Sequence, residues 1–424
     1  MRIGISRAVA LFVVTNLVTL AAIAQSASVP GHWVSAWSTA VQAPRSGPIT
    51  PSSLTFENQT VRMVIRPTIG GARLRIRLSN EFGTTRLAIG SAHVALVKEN
   101  GTIVPGSDLP LKFSGEASVI IPAGAPMLSD AVEMKVSPFT EIAVSIFLAN
   151  KTVPSTFHLL GQHDTYISGP GDFTGAAEIT DAKVTKAWYW LAGMEVWASD
   201  RSSAIVAFGD SITDGFGGKA QYADWPNQLA DRLAEEKSPS TLAVDNEGIG
   251  GNRILWDGLG VSALARFDRD VLSQPGVADL IILEGINDIG WPDYKARPDK
   301  DGIIPKEGPY AAQRITAKDL IQGLQQLINR AHEHGIKVFG ATMTPYGGSG
   351  AFTDDSEAIR AAVNQWIRTG GAFDGVFDFD AAVRDPDHPT RFKEDMQSGD
   401  HLHPNAVGYK AMAAAIDLSK LRGK

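Results

Sequence analysis

The pattern of hydrophobic and polar residues changes character near residue 200. Before it, Arg73-Leu74-Arg75-Ile76-Arg77-Leu78 alternates with period two. That alternation predicts a half-buried strand, with Leu74, Ile76 and Leu78 inward and the arginines facing solvent. Val61, Met63 and Ile65 alternate with Arg62 and Arg66, and Ile69-Gly70-Gly71 reads as the turn of a hairpin between the two runs. Further strands are predicted over 93–97, 119–121, 132–136 and 142–148. Short strands with Gly/Pro turns and few helical patterns predict a β-sandwich, jelly-roll-like, over residues 28–200. From 201 to 424 the period alternates. Strand-like runs at 204–208, 242–244, 280–283, 336–341 and 376–379 are interleaved with helical patterns at 225–236, 317–334, 356–369 and 405–418. That order predicts an α/β domain, a parallel sheet covered by helices on both faces.

Chemistry gathers where the strand-like runs end. Gly209-Asp210-Ser211 follows the first, and a serine there sits where open α/β sheets place ligands. Serine needs a base to become a nucleophile, and the base needs an orienting partner. Asp400-His401-Leu402-His403 supplies both: His403 as base and Asp400, three residues earlier, as its partner. Two further segments, Asn246-Glu247-Gly248-Ile249-Gly250-Gly251 and Gly285-Ile286-Asn287-Asp288, follow the second and third runs. Taken singly, Ser211 could be a turn serine or helix cap, the glycines a strand-to-helix turn and Asn287 an Asx-turn. Three strand ends of this kind in one order need a common reason.

The four segments together resemble the GDSL/SGNH family of serine esterases. The resemblance spans about residues 203–420 and implies a flavodoxin-like three-layer α/β/α hydrolase domain. It implies two-step ester hydrolysis by Ser211, His403 and Asp400, with no cofactor and no metal. It places an oxyanion hole on the Ser211 N–H, the Gly251 N–H and the Asn287 amide, where preorganised donors meet developing charge. The family spacing selects His403 over His401, which is left to solvent or the cleft rim. Asp210 is expected to bond loop backbone near the serine, and Asp288 to be structural too. Ile286 departs from the family's usual Gly-Gly-Asn-Asp and makes the wall beside Asn287 more apolar. The β-rich half resembles, less specifically, a domain of secreted bacterial SGNH esterases similar to xylan-degradation esterases. This leans the substrate toward acylated carbohydrate, chiefly acetyl esters. A broad-specificity or lipid-directed esterase, such as a lysophospholipase, and a non-catalytic glycan-binding protein remain alternatives.

Competing motifs fit poorly. Gly209-Asp210-Ser211-Ile212-Thr213 lacks the second glycine of a lipase elbow. Gly217-Gly218-Lys219-Ala220 lacks the hydroxyl residue of a phosphate loop, and Gly248-Ile249-Gly250-Gly251-Asn252-Arg253 ends a dinucleotide fingerprint on arginine. His332-Glu333-His334 closes a helix, where histidines favour the C-terminal dipole. Trp33, Trp37 and Phe56 read as core before sugar platforms, and Trp188-Tyr189-Trp190 with Trp197 as packing between the halves. The segment 291–308 is a candidate substrate-contacting loop. Pro404 suits the first turn of the closing helix.

Arg2 and Arg7 precede an apolar stretch ending in Ala22-Ile23-Ala24, which reads as a signal peptide over 1–24, cleaved near Ala24-Gln25. The apolar run is short for a membrane span, so the expected location is secreted or periplasmic, with no stable membrane insertion. The formal charge of −7 becomes −9 without those two arginines, and an acidic protein argues against binding nucleic acid. No cysteine is present to form disulfides. The sequence leaves the oligomeric state open.

Overall fold

Five strands follow residue 200, and most of their residues are buried. They are β1 (Ser203–Gly209), β2 (Leu242–Gly248), β3 (Val277–Leu283), β4 (Lys337–Ala341) and β5 (Gly375–Phe377). All pair in parallel, in the order β2-β1-β3-β4-β5. This is the flavodoxin-like order, in which the chain reverses direction across the sheet beside β1 and opens a crevice at the carboxyl ends. The structure, a computed structural model, describes residues 30–44, 54–161, 163–236, 241–294 and 310–421. The signal-peptide reading and most of the 291–308 segment lie outside these.

Eight helices accompany the sheet among the described residues: α1 (Ser211–Asp214), α2 (Trp225–Glu236), α3 (Ala263–Phe267), α4 (Ile286–Gly290), α5 (Ala317–Glu333), α6 (Asp354–Thr369), α7 (Phe379–Val383) and α8 (Ala406–Ala414). They pack in two groups, α2 with α8 and α7, and α5 with α6 and α3. Their apolar faces bury Leu229, Leu233, Leu324, Leu327, Val363 and Met412 against strand residues such as Val206, Ile281 and Val338. Thr316 and Thr353 cap α5 and α6 through capping boxes, which fixes where those helices begin. Pro404 does not enter α8. Asn405 is the cap, its side chain accepting from Val407 and Gly408 N–H, and Pro404 lies one residue outside.

The β-rich half is a sandwich. One antiparallel sheet holds His32–Ser38, Leu191–Ala198, Leu74–Ser79 and Pro126–Leu128; the other centres on Thr165–Pro170, Gln59–Ile65, Ile142–Leu148 and Ser91–Glu99. Val34, Ile76 and Val196 from the first sheet share one core with Met63, Val94 and Val144 from the second. The expected hairpin is absent. Gln59–Ile65 and Leu74–Ser79 lie in different sheets, so the chain through Ile69-Gly70-Gly71 crosses the sandwich instead of turning back. Residues 132–136 form no strand and are held by isolated bridges of Val132 to Leu74 and Val136 to Gly71. The arginine stripe also differs from expectation: Arg75 and Arg77 converge on buried Glu195 of the neighbouring strand at 2.5 and 2.6 Å.

Residues Gly31–Lys424 form one compact unit. The two cores meet where Ala204 and Ala243 of the parallel sheet join the sandwich core. Thr39 bridges to Asn246, and Ser35 N–H donates to the Pro275 carbonyl. The connection from the sandwich to β1 is only the turn at 199–202. Among the described residues no helix is long and apolar enough to cross a membrane.

Candidate active site

Register places the candidate segments at one level. Gly209, the last residue of β1, is opposite Gly248 of β2 and Leu283 of β3. The chain therefore leaves three neighbouring strands side by side toward Ser211, Gly251 and Asn287. Gly209 and Gly248 are required by close approach: a Cβ on Gly209 would lie 2.3 Å from the Leu283 carbonyl, and one on Gly248 2.2 Å from Asp214 N.

Ser211 opens α1, capped by Asp210, whose carboxylate accepts the Ile212 N–H at 2.9 Å. Ser211 Oγ lies 2.8 Å from His403 Nε2, and His403 Nδ1 lies 2.6 Å from Asp400 Oδ2. Asp400 Oδ1 accepts the backbone N–H of Leu402 and His403. Partial burial opposes its ionisation, but the bonds and charge of His403 and these amides outweigh burial and hold the carboxyl well below the usual range. With Nδ1–H committed to Asp400, Nε2 is left as an acceptor for the serine hydroxyl. His401 points elsewhere: it takes a left-handed backbone, φ 59°, and its ring lies against Gly348.

The loop carrying His403 is tied to the nucleophile's side. Tyr409 on α8 donates to the Phe216 carbonyl at 2.6 Å, and the Phe216 ring meets the His403 ring edge-on, 4.6 Å between centroids. Gly251 has φ +70°, and a Cβ there would strike Leu259 and Trp291. Asn287 Nδ2 donates to the Asn252 carbonyl at 3.0 Å, joining the second and third segments. A primary amide carries two N–H donors, so this bond uses one. Asp288 accepts the N–H of Ile254 and Leu255, a structural role. Ile286 is buried in the core, and Trp291, the start of the 291–308 segment, lies over Gly251 and stacks on Tyr310.

Three features were not read from sequence. Arg266, fully buried, donates to the carbonyls of Gly209 and Glu247 and to Asn252 Oδ1, bracing the ends of β1 and β2, and lies 3.9 Å from Glu284 just past β3. Around it, burial raises the carboxyls of Asp210, Glu247, Glu284 and Asp288 above their usual range, Asp288 to about 6. Finally, His158 of the sandwich contacts Asp214 of α1 at 3.0 Å. None of these has a local spacing signature; each depends on residues that only the fold brings together.

A serine, a histidine and a carboxylate bonded in series at the carboxyl edge of a 2-1-3-4-5 sheet define a serine acylhydrolase site. Residues 207–411 match the GDSL-like lipase/acylhydrolase family. Residues 207–411 therefore carry a carboxylic ester hydrolase domain of that type. No curated protein matches the chain. Solved structures similar to part of it include an acetyl xylan esterase from Geobacillus stearothermophilus, 19% identical, covering 52% of this chain and 96% of its own, TM-score 0.38. A carbohydrate acetylesterase family member from Sinorhizobium meliloti is 17% identical, covering 50% and 94%, TM-score 0.36. A member of the lipolytic G-D-S-L family from Veillonella parvula is 16% identical, covering 50% and 96%, TM-score 0.35.

Proposed function

We propose that the protein hydrolyses short-chain acyl esters, chiefly acetyl esters of carbohydrate, through an acyl-enzyme on Ser211. The observation that carries this reading is the bonded series Ser211–His403–Asp400. Ser211 Oγ attacks the acyl carbonyl as His403 Nε2 takes its proton, and Asp400 stabilises the imidazolium. The oxyanion is received by the N–H of Ser211 and Gly251 and the Asn287 amide. Collapse expels the alcohol, which takes the proton from His403. Water, deprotonated by His403, then attacks the acyl-enzyme and releases the acid and Ser211. The balance needs no cofactor.

Two features support a small acyl group on a sugar. Beside Gly250, the residue before the Gly251 donor, lies a small apolar niche walled by Phe157, Leu159, Leu160 and Leu259. Phe216 and Trp256 stay exposed near the catalytic histidine and on the loop after Gly251, and aromatic faces suit sugar rings. The test compares the purified protein with Ser211→Ala on p-nitrophenyl acetate, butyrate and palmitate, with acetate release from acetylated xylan. Serine-dependent turnover falling beyond acetate, with acetate freed from the polymer, is expected. Turnover that rises with chain length would replace this reading by a lipid-directed one, and binding to glycan without turnover by a glycan-binding one. We also propose export, with N-terminal sequencing of the mature protein expected to begin near Gln25.

A further inference from the structure

The four-residue helix that opens with Ser211 closes with Asp214, and Asp214 links two parts of the molecule. Its Oδ2 accepts the Gly250 N–H at 3.1 Å, and its Oδ1 lies 3.0 Å from His158 Nε2. His158 Nδ1 lies 2.8 Å from the Ala40 carbonyl. Both side chains are almost sealed from solvent, at 2% and 6% exposure. A carbonyl accepts only and a carboxylate accepts only, so the two contacts of the ring call for two protons. The pair is therefore an imidazolium–carboxylate pair, buried and formed across the two cores. Burial alone would depress the His158 pKa, but the charge and bond of Asp214 and the Ala40 carbonyl outweigh burial and raise it.

The position of the pair gives it a consequence. Gly250 precedes Gly251, whose N–H is a proposed oxyanion donor, and Asp214 is one turn from the nucleophile. Holding Gly250 N–H on Asp214 therefore fixes the Gly250-Gly251 turn against the helix that carries Ser211. We propose that His158, supplied by the sandwich, is a positioning residue of the esterase site. By holding Asp214 it sets the Gly251 donor relative to Ser211. This rests on the reaction proposed above. It makes the β-rich half part of the catalytic apparatus and not only a neighbour of it. Removing one partner of a buried charge pair leaves the other uncompensated, so the loss reaches the Gly250 bond.

The groups facing the pair bear on its titration. His163, Arg66, Tyr222 and Asp224 surround an adjoining polar cavity of about 40 Å³. Arg266 acts on His158 as a like charge. Burial and the nearby cations hold His163 down, to about 3, so it stays neutral; burial raises Asp224 to about 6.

The experiment measures kcat and KM for p-nitrophenyl acetate, per serine titrated with a fluorophosphonate, with Ser211→Ala read per mole of protein. It compares the wild-type protein, Ser211→Ala, His158→Ala, Asp214→Asn and the double variant His158→Gln/Asp214→Asn, with a pH profile for each. His158→Ala is expected to lower kcat per titrated serine on the order of 10- to 100-fold, the scale of a sub-ångström to ångström misplacement. KM should stay near the wild-type value, so the loss falls on kcat alone. The double variant, an uncharged hydrogen-bonded pair, should recover activity relative to Asp214→Asn alone, and it carries the test if His158→Ala does not fold. Unchanged kcat per titrated serine in His158→Ala would overturn the proposal. So would a loss that follows only melting temperature and the number of titratable serines, or a double variant no better than the single. Wild-type turnover equal to that of Ser211→Ala would instead sink the underlying reaction and this proposal with it.

Discussion

At the scale of single residues, the site divides into groups that bond the reacting serine and groups that shape the backbone around it. Asn287 belongs to the reacting set if its second amide N–H meets the oxyanion. Asn287→Ala should then lower kcat on the order of 10²- to 10³-fold, the usual loss for one donor, with little change in KM. An unchanged kcat would remove it from the hole. His401 lies against Gly348 and not on Ser211. His401→Ala is therefore expected to keep kcat within about threefold of wild type, while His403→Ala loses about three orders of magnitude or more. The bonded series of Ser211, His403 and Asp400 was legible because each sits in a short motif whose chemistry demands that residue type. Arg266 and His158 were not. A lone arginine or histidine has no spacing to announce that it will be buried against a strand end or another domain's helix.

At the scale of elements, the helical and parallel-strand periods were read closely. The structure returns α2 as Trp225–Glu236, and α5 ends at Glu333 with His334 as its cap. The failures came where local pattern does not decide pairing. The runs at Gln59–Ile65 and Leu74–Ser79 both alternate as expected, but sheet partners are set by the whole sandwich, so adjacent runs did not form a hairpin. Residues 132–136 are apolar enough for a strand yet bridge at only two points. The closing helix shows what an element adds to the site. Tyr409 on α8 reaches across to Phe216, which flanks His403. Tyr409→Phe removes that bond, a net contribution of about 1 kcal/mol. The melting temperature should fall by about 1–2 °C, with a few-fold loss of kcat as the Phe216 contact loosens. Thermal unfolding alongside steady-state kinetics checks both, and wild-type values for each would free the catalytic loop from this strap.

At the scale of the molecule, the division into a β-rich half and an α/β half was legible, and the way they are joined was not. The interface is lined with acids. Asp245 has its pKa raised by burial to about 7 and Asp224 to about 6, and away from the interface burial raises Asp288 to about 6 as well. Such a group holds its proton more tightly when folded than when unfolded, where an aspartate titrates near about 3.9. Its stabilising effect is fully present below the unfolded value and is lost as pH rises through 6 and 7. His158, also raised, acts in the same direction, and His163, held near 3, acts against it. Asp378 and Asp400 are held low but are already ionised in both states above pH 5, so they do not alter the trend. The melting temperature should therefore be several degrees higher near pH 5.5 than near pH 8, measured at fixed ionic strength. A rise in melting temperature over that range would contradict the burial of these carboxyls.

The first strand of the sandwich has a consequence in time. His32 pairs with Ala198, 166 positions further along. A chain delivered from its N-terminus, by a ribosome or through a pore, presents His32–Ser38 long before its partner arrives. At synthesis rates of roughly 5–20 residues per second that wait lasts on the order of ten to thirty seconds. The same strand leads to Ala40 and Gln42, which hold His158 and Leu159 in place. The esterase site therefore reaches its working form only after the first strand has met a partner well over a hundred residues later, so the closure of this long loop is expected to set the pace at which activity appears on refolding.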